Sequence, residues 1–301
     1  MQKVLLTGAS GYIADQLLPT FKERYEMALV DVVDTNRRGE RVEGVVIQDL
    51  IDPDRAKYAS LFEDVDAVVH LGYKRRTGSN PLDHFFEEKE NVEMAYNVFR
   101  SAYDAGASRV VMASSNHAAD WYEHNLIHAR KMESLDPYRL PLSDNFYGWA
   151  KATYEHMGFL FACGAMDFRT AGGDQDHTGA SQIQQRKLEV VMVRIGAPRD
   201  LDPAIYVGNT GNYKRDLGAY LSPRDLTQLF VKATETPNIE NEHGIPWQVV
   251  YGISNNTRAF WSLSNAREVL GYEPEDDSEV KYADDIGRLL SGSDAAGRVG
   301  S

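Results

Sequence analysis

A single cysteine, Cys163, stands in a chain of 301 residues, so no intramolecular disulfide framework is possible. No Cys/His pair has zinc-ligand spacing either, and no metal is expected. This cysteine usage fits a reducing cytoplasm. Basic residues are also scarce: 32 Lys and Arg stand against 45 Asp and Glu, a net charge of −13. A nucleic-acid surface needs clustered Lys and Arg on phosphates, and this balance argues against one. No apolar run approaches the ~20 residues that cross a bilayer. Met1-Gln2-Lys3 leads straight into the first apolar run, so neither a membrane span nor a signal peptide is expected. Repeats at solenoid periods are missing too.

What the chain does have is enough apolar content, 43%, to bury a large core. Short apolar runs at 4–6, 27–34, 42–50, 66–72, 108–115 and 188–196 read as strands, and helical or polar segments separate them, including a long helix over 82–105. Alternation of this kind predicts an α/β fold with a doubly wound parallel sheet. The expected organisation is a nucleotide-binding domain over 1–196, a small C-terminal substrate-binding region over 197–290, and a disordered tail over 291–301. A polar insertion at 163–187 follows the catalytic helix, on the side of the sheet away from the nucleotide. It is expected to decorate the fold or to assist assembly.

The first strand runs directly into "TGASGYIA", residues 7–14. Gly8 and Gly11 fall where the pattern turns from strand to helix, and Ala14 fills the small-residue position of the turn. A helix N-terminus carries free N–H groups and partial positive charge, and glycine lets backbone approach a pyrophosphate. Asp31 follows about 20 residues later, where a carboxylate takes the adenosine ribose hydroxyls and repels a 2′-phosphate. NAD is the expected cofactor. Asp34 is a rival for that role, and Arg37-Arg38 could accept a phosphate.

In doubly wound sheets ligands bind beyond the carboxyl ends of the strands. Those ends carry Asp49 and Leu50, Gly72 to Arg76, Ser114 to His117, and Arg194. Residues 147–151 read "YGWAK", placing Tyr147 and Lys151 one helical turn apart on one face. A phenol is a poor base at neutral pH, and a neighbouring ammonium favours its anion. Arg194 and the basic run Lys74-Arg75-Arg76 favour an anionic substrate, because guanidinium binds carboxylate or phosphate through paired hydrogen bonds. His70, ending an apolar strand, reads as a core residue.

Together "TGASGYIA", "QDLID", "HLG", "NVEMAYNV", "ASSN" and "YGWAK" resemble the extended short-chain dehydrogenase/reductase family, with its Rossmann-like fold and NAD-dependent epimerases and dehydratases. The resemblance implies Tyr147 as general base, Lys151 on the nicotinamide ribose, and Ser115 or Ser114 as the catalytic hydroxyl. It places the cofactor on Gly8, Ser10, Gly11, Tyr12, Ile13, Asp31, Asp49, Leu50, Leu71, Gly72, Tyr73, Asn91, Tyr147 and Lys151. Within the family, "SSNHAADWYE", "VRIG", "LSPRDLTQLF" and "VVYGISNNTRAFWSLSNAREVLGY" are similar to uronate dehydrogenases and archaeal-type NAD-dependent glucose-6-phosphate dehydrogenases. That similarity implies oxidation of a sugar C1 hemiacetal to a lactone, with Ser115, Asn116, His117, Arg194 and Phe260 at the substrate; Arg75 is added to them from the basic run at 73–81, which departs from the family pattern. It also suggests a homodimer through the catalytic-helix face. A nucleotide-sugar epimerase or dehydratase is the alternative, although only about a hundred residues follow Arg194 to hold a nucleoside diphosphate. A catalytically silent dinucleotide-binding regulator ranks last, because both Tyr147 and Lys151 are present.

Overall fold

The computed structural model of the chain describes residues 1–167, 182–184 and 186–291. Apolar runs bounded by turn residues form β1 (Lys3–Thr7), β2 (Glu26–Asp31), β3 (Val45–Ile47), β4 (Ala67–His70) and β5 (Arg109–Ser115). Two helices lie between them, α1 (Tyr12–Arg24) and α2 (His84–Ala105). After β5 come the single turn α3 (Asp120–Tyr122), α4 (Phe146–Ala162), a hairpin of β6 (Ala165–Asp167) and β7 (Gln182–Gln184), and β8 (Glu189–Ile195). The C-terminal part supplies α5 (Thr210–Ala219), α6 (Pro223–Glu235), β9 (Trp247–Gly252), α7 (Ser264–Leu270), α8 (Ser278–Lys281) and α9 (Ala283–Leu290).

Seven strands join one parallel sheet in the order β3-β2-β1-β4-β5-β8-β9. This is the doubly wound, Rossmann-like arrangement expected, with the topological switch between β1 and β4. Successive side chains of β1 feed opposite cores. Val4 and Leu6 pack with Leu17 and Phe21 of α1 and Phe230 of α6, whereas Leu5 packs with Phe99 of α2 and Tyr154 of α4. Both faces of the sheet are thereby covered.

Two features differ from the sequence reading. The third strand is confined to Val45–Ile47, because Gly44 takes φ +84° ahead of it and an edge position leaves Val46 and Ile47 exposed. The seventh strand, β9, pairs with β8 from Val190↔Trp247 to Ile195↔Gly252, so the C-terminal region completes the nucleotide-binding sheet. The insertion begins and returns as the β6–β7 hairpin. Its residues 168–181 and 185, and the tail 292–301, lie outside the described residues.

Arg194, expected at the substrate, is held inside the protein. Arg194 is 1% exposed, and it stands beside Ser114 in the β5–β8 register, on the face that α4 covers. Its Nε and one terminal nitrogen donate to the two oxygens of Glu155 at 2.8 and 2.7 Å, and the other donates to the Tyr251 hydroxyl at 2.9 Å. Ser114 Oγ donates to the same carboxylate at 2.7 Å. Three of the five N–H donors of the guanidinium are thereby engaged inside the protein, and Arg194 does not line the cleft at the carboxyl ends of the strands. Removing one partner of a buried ion pair strands the other charge, which typically costs about 3–5 kcal/mol. Arg194→Ala is therefore expected to lower unfolding stability by that order, read as the urea midpoint; an unchanged midpoint would show that Glu155 does not depend on it.

Candidate active site

A cleft of about 1240 Å³ opens along the carboxyl ends of β1, β2, β4 and β5. Its nucleotide end is built by the turn after β1. Gly8 has φ +72°, and a Cβ there would lie 2.6 Å from Gly72 N, so only glycine lets the β1 and β4 turns touch. Gly11 caps α1 without a side-chain hydrogen bond, which leaves the first N–H groups of the helix directed at the cleft. Gly8, Ser10, Gly11, Tyr12 and Ile13 all line it.

Asp31 follows at the end of β2, where its Oδ2 accepts from Ser10 N at 2.9 Å and its Oδ1 from Val32 N at 2.7 Å. These bonds fix the carboxylate in the cleft wall. Asp34 instead pairs with Arg41 at 3.0 Å and does not line the cleft. Arg38 is likewise held by Asp15 and Glu40, while Arg37 lies 5.0 Å over the Tyr12 ring. Asp49, Leu50, Leu71, Gly72 and Tyr73 complete this wall. A glycine cradle that a Cβ would fill, an uncapped helix end and a fixed acidic side chain suit a dinucleotide such as NAD.

Asn91 sits behind the wall. It is fully buried and brackets Lys74, accepting from its N–H at 2.8 Å and donating to its carbonyl at 2.9 Å. Expected as a cofactor contact, it stands off the cleft lining and supports the segment after β4. That segment carries the basic run, in which Lys74 pairs with Glu90 and Arg76 with Glu88. Arg75 lines the cleft, and no carboxylate among the described residues pairs with it. Its charge acts on Arg37, which burial and Arg75 together push down.

At the other end of the cleft α4 presents Tyr147 and Lys151. Asn145 caps this helix, its Oδ1 accepting from Gly148 N at 2.9 Å. Gly148 makes a close approach to the turn after β5: a Cβ would lie 1.9 Å from the His117 carbonyl oxygen. Lys151 is buried, donates to the Ala113 carbonyl at 2.9 Å, and lies 5.8 Å over the Tyr147 ring. Burial pushes its pKa down to about 8, against the pull of Glu88 and Glu155. Burial also pushes Tyr147 up, and a hydrogen bond with Ser115 works in the opposite direction.

The two serines separate cleanly. Ser114 is tied to Glu155, whereas Ser115 lies beside Tyr147 in the cleft. His117 also lines the cleft, edge-on to the Tyr147 ring at 5.5 Å. Its Nδ1 is bonded to Asp120 Oδ2 at 2.7 Å, and Asn145 Nδ2 donates to the same oxygen at 2.9 Å. One carboxylate therefore orients both the histidine and the cap of α4. His70 is wholly buried, with Nδ1 against Thr7 Oγ1 at 2.6 Å, and burial pushes its pKa down to about 3.

Two expected substrate residues lie off the cleft. Asn116 is buried and, with its amide in the orientation its neighbours require, donates to the Ile195 carbonyl and accepts from Arg215. Phe260 is buried against Trp261 at 4.0 Å and His128 at 5.8 Å. Both fill the junction with the C-terminal region, where apolar packing and backbone satisfaction compete with ligand contact. Sequence reasoning missed Glu155, four residues after Lys151, and Asp120, three after His117. Helical spacing could have flagged both. It also missed Glu88, a buried acid on α2 with no such signal. Among the described residues no group of three or more His, Cys, Asp or Glu could hold a metal, and no helix is long and apolar enough to cross a membrane.

The chain is 29% identical over 286 residues to the NAD-dependent glucose-6-phosphate dehydrogenase of Haloferax volcanii, covering 92% of this chain and 94% of that one. It is 28% identical over 281 residues to a uronate dehydrogenase of Pseudomonas syringae pv. tomato, covering 92% and 83%. Its fold is similar to the crystal structure of uronate dehydrogenase from Agrobacterium tumefaciens, with a TM-score of 0.67 and 24% identity over 96% of this chain and 89% of that one. The sequence pattern of the NAD dependent epimerase/dehydratase family matches residues 4–245. That match runs from the first glycine turn through both ends of the cleft, and the chain belongs to the NAD dependent epimerase/dehydratase family.

Proposed function

We propose that this NAD-dependent enzyme oxidises the C1 hemiacetal of a sugar to its lactone, with Tyr147 as general base. The observation that carries the reading is the meeting of Tyr147, Ser115 and Lys151 at the end of the cleft away from the glycine turn. Ser115 orients the reacting hydroxyl, and Tyr147 removes its proton. His117, held through Nδ1 by Asp120, offers its other ring nitrogen to a neighbouring sugar hydroxyl. When bound, NAD supplies the hydride acceptor and a positive charge at the reacting end. Burial holds Tyr147 protonated in the chain alone, so the Lys151 cation is needed to make its anion accessible.

The substrate reading is an anionic sugar, a uronate or a sugar phosphate. The two relatives above are named for such sugars, and Arg75 remains a cleft cation without an acidic partner. Gly196, Pro198 and Arg199 line the cleft where the C-terminal region begins, which supports residues 197–290 as the sugar side. The reading also includes a homodimer across α2 and α4. Phe86 on α2 is 68% exposed and Leu160 on α4 is 46% exposed, with Phe85 and Trp149 stacked between the helices. An aromatic surface of this kind suits a second copy.

Tyr147→Phe is expected to abolish NAD reduction by sugars, a loss of at least a hundredfold for a missing general base, with NADH binding by fluorescence nearly intact. Normal turnover would remove Tyr147 from the mechanism. For Arg75→Ala the expected result is a larger rise in KM for a uronate or sugar phosphate than for its neutral parent aldose. Equal losses on both would place Arg75 on the cofactor. Phe86→Glu should shift sedimentation from dimer to monomer; a wild-type protein that sediments as a monomer would end the dimer reading.

A further inference from the structure

Glu88 is 0% exposed, yet it stands on α2 next to the catalytic end of the cleft, and nothing in the hydride-transfer chemistry requires a third acid there. A carboxylate in such a place is costly unless its oxygens are bonded. Its partners are not spread at random. Tyr73 Oη donates to Glu88 Oε1 at 2.7 Å, Asn91 Nδ2 lies 3.3 Å from Oε2, and Arg76 Nε lies 3.4 Å from Oε1. Each of those side chains reaches back to the segment after β4 or to the catalytic pair.

Tyr73 packs edge-on to the Tyr147 ring with centroids 5.3 Å apart, and the Lys151 ammonium lies 5.4 Å over the Tyr73 ring. Arg76 lies 5.9 Å over the Tyr147 ring. Asn91, the third partner, brackets the backbone of Lys74 between them. One buried carboxylate thus holds, through three partners, the wall against which both Tyr147 and Lys151 rest.

We propose that Glu88 is a positioning residue for catalysis, fixing Tyr73 and Arg76 against Tyr147 and supplying the negative charge that keeps Lys151 a cation. The proposal rests on the reading of Tyr147 and Lys151 as the catalytic pair. Lys151 is faced by Glu88 from α2, by Glu155, Tyr147 and Tyr154 from its own helix, by Tyr73 after β4, by His70 from β4, and by the Ala113 carbonyl of β5. Of these, Glu88 and Glu155 are the acids and both pull Lys151 toward its cation, Glu88 more strongly than Glu155, which is also paired with Arg194. Tyr147 is faced by Ser115, Glu88, Asp120, Arg76 and His117, by Tyr73 after β4, and by Lys151 and Tyr154 from its own helix. The sign follows from this layout. Removing the Glu88 charge lowers the pKa of Lys151, so its cation is lost at a lower pH. The same change lowers the pKa of Tyr147, and both limbs of a pH–rate profile move toward acid.

The test uses Glu88→Gln, which keeps the size and one acceptor oxygen. Trace acetylation of Lys151 as a function of pH, read by peptide mass spectrometry, follows the lysine without any substrate. The expected result is a Lys151 midpoint lowered by about one pH unit, with the alkaline limb of kcat moving down in parallel. A midpoint equal to that of the wild type overturns the proposal. Tyr73→Phe keeps the ring and the Glu88 charge but cuts the bond between them. Its expected signature is kcat lowered roughly tenfold or more with the Lys151 midpoint in place, and wild-type kcat in that variant also overturns the proposal, including the case where Glu88→Gln does not fold. If no sugar reduces NAD with the wild-type protein, the function reading fails, while the acetylation midpoint still decides on Glu88.

Discussion

The carboxylate of Glu155 is the point on which the geometry of the cleft depends. It lies one turn beyond Lys151 on α4 and takes two hydrogen bonds from Arg194 on β8 and one from Ser114 on β5. A helix laid on a sheet by apolar contacts alone can slide or rotate, because dispersion is weakly directional. A bidentate guanidinium–carboxylate pair fixes one angle and one height. With Glu155 pinned, Tyr147 and Lys151, two turns and one turn earlier, have a set register against Ser115. At the start of the helix Gly148 permits contact with the His117 carbonyl, and Asn145 ties the cap to Asp120. α4 is thus located by polar groups at its start and at its middle, and its apolar face fills the space around them.

Charge is distributed with similar economy. The chain is strongly acidic overall, yet its cleft gathers Arg37, Arg75 and Lys151, which suits a dinucleotide carrying two phosphates. Most other arginines named here are held by carboxylates, Arg194 by Glu155 and Arg38 by Asp15 and Glu40. Arg37 and Arg75, which have no ion-pair partner among the described residues, stand where an anionic ligand can neutralise them. Arg37 and Arg75 act on each other unfavourably in the free chain, and a bound phosphate would relieve that repulsion.

Much of the nucleotide end was legible in the sequence because its requirements are local. A glycine turn, a strand before it and a helix after it lie within one short stretch, and Asp31 follows at a distance set by one helix and one strand. The pair Tyr147 and Lys151 is readable for the same reason, since helical spacing is encoded in the residue numbers. The pairing of Arg194 was not legible because a strand-end arginine can turn to either face, and the choice depends on Glu155, which lies 39 residues away. The bonds of Asn91 and Asn116 were hidden in a related way: both stand close to the cleft and satisfy backbone groups of its walls. Glu88 left no trace in the pattern, for nothing in its neighbours' identities reveals that a helix face of α2 would press an acid against the catalytic residues.

The seventh strand has a consequence for how the protein is made. β8 is buried along nearly its whole length, and its outer edge is covered only by β9, which begins at Trp247. During synthesis the first six strands of the sheet leave the ribosome before their neighbour exists. For the interval in which some fifty further residues are added, at about 5–20 residues per second, the nascent sheet presents an apolar strand with open N–H and C=O groups. Such an edge is a template for pairing with another chain. The C-terminal region, by supplying β9, therefore protects the half-made enzyme. Chains released early, before residue 252, would be the aggregation-prone species in a cell that overproduces this protein.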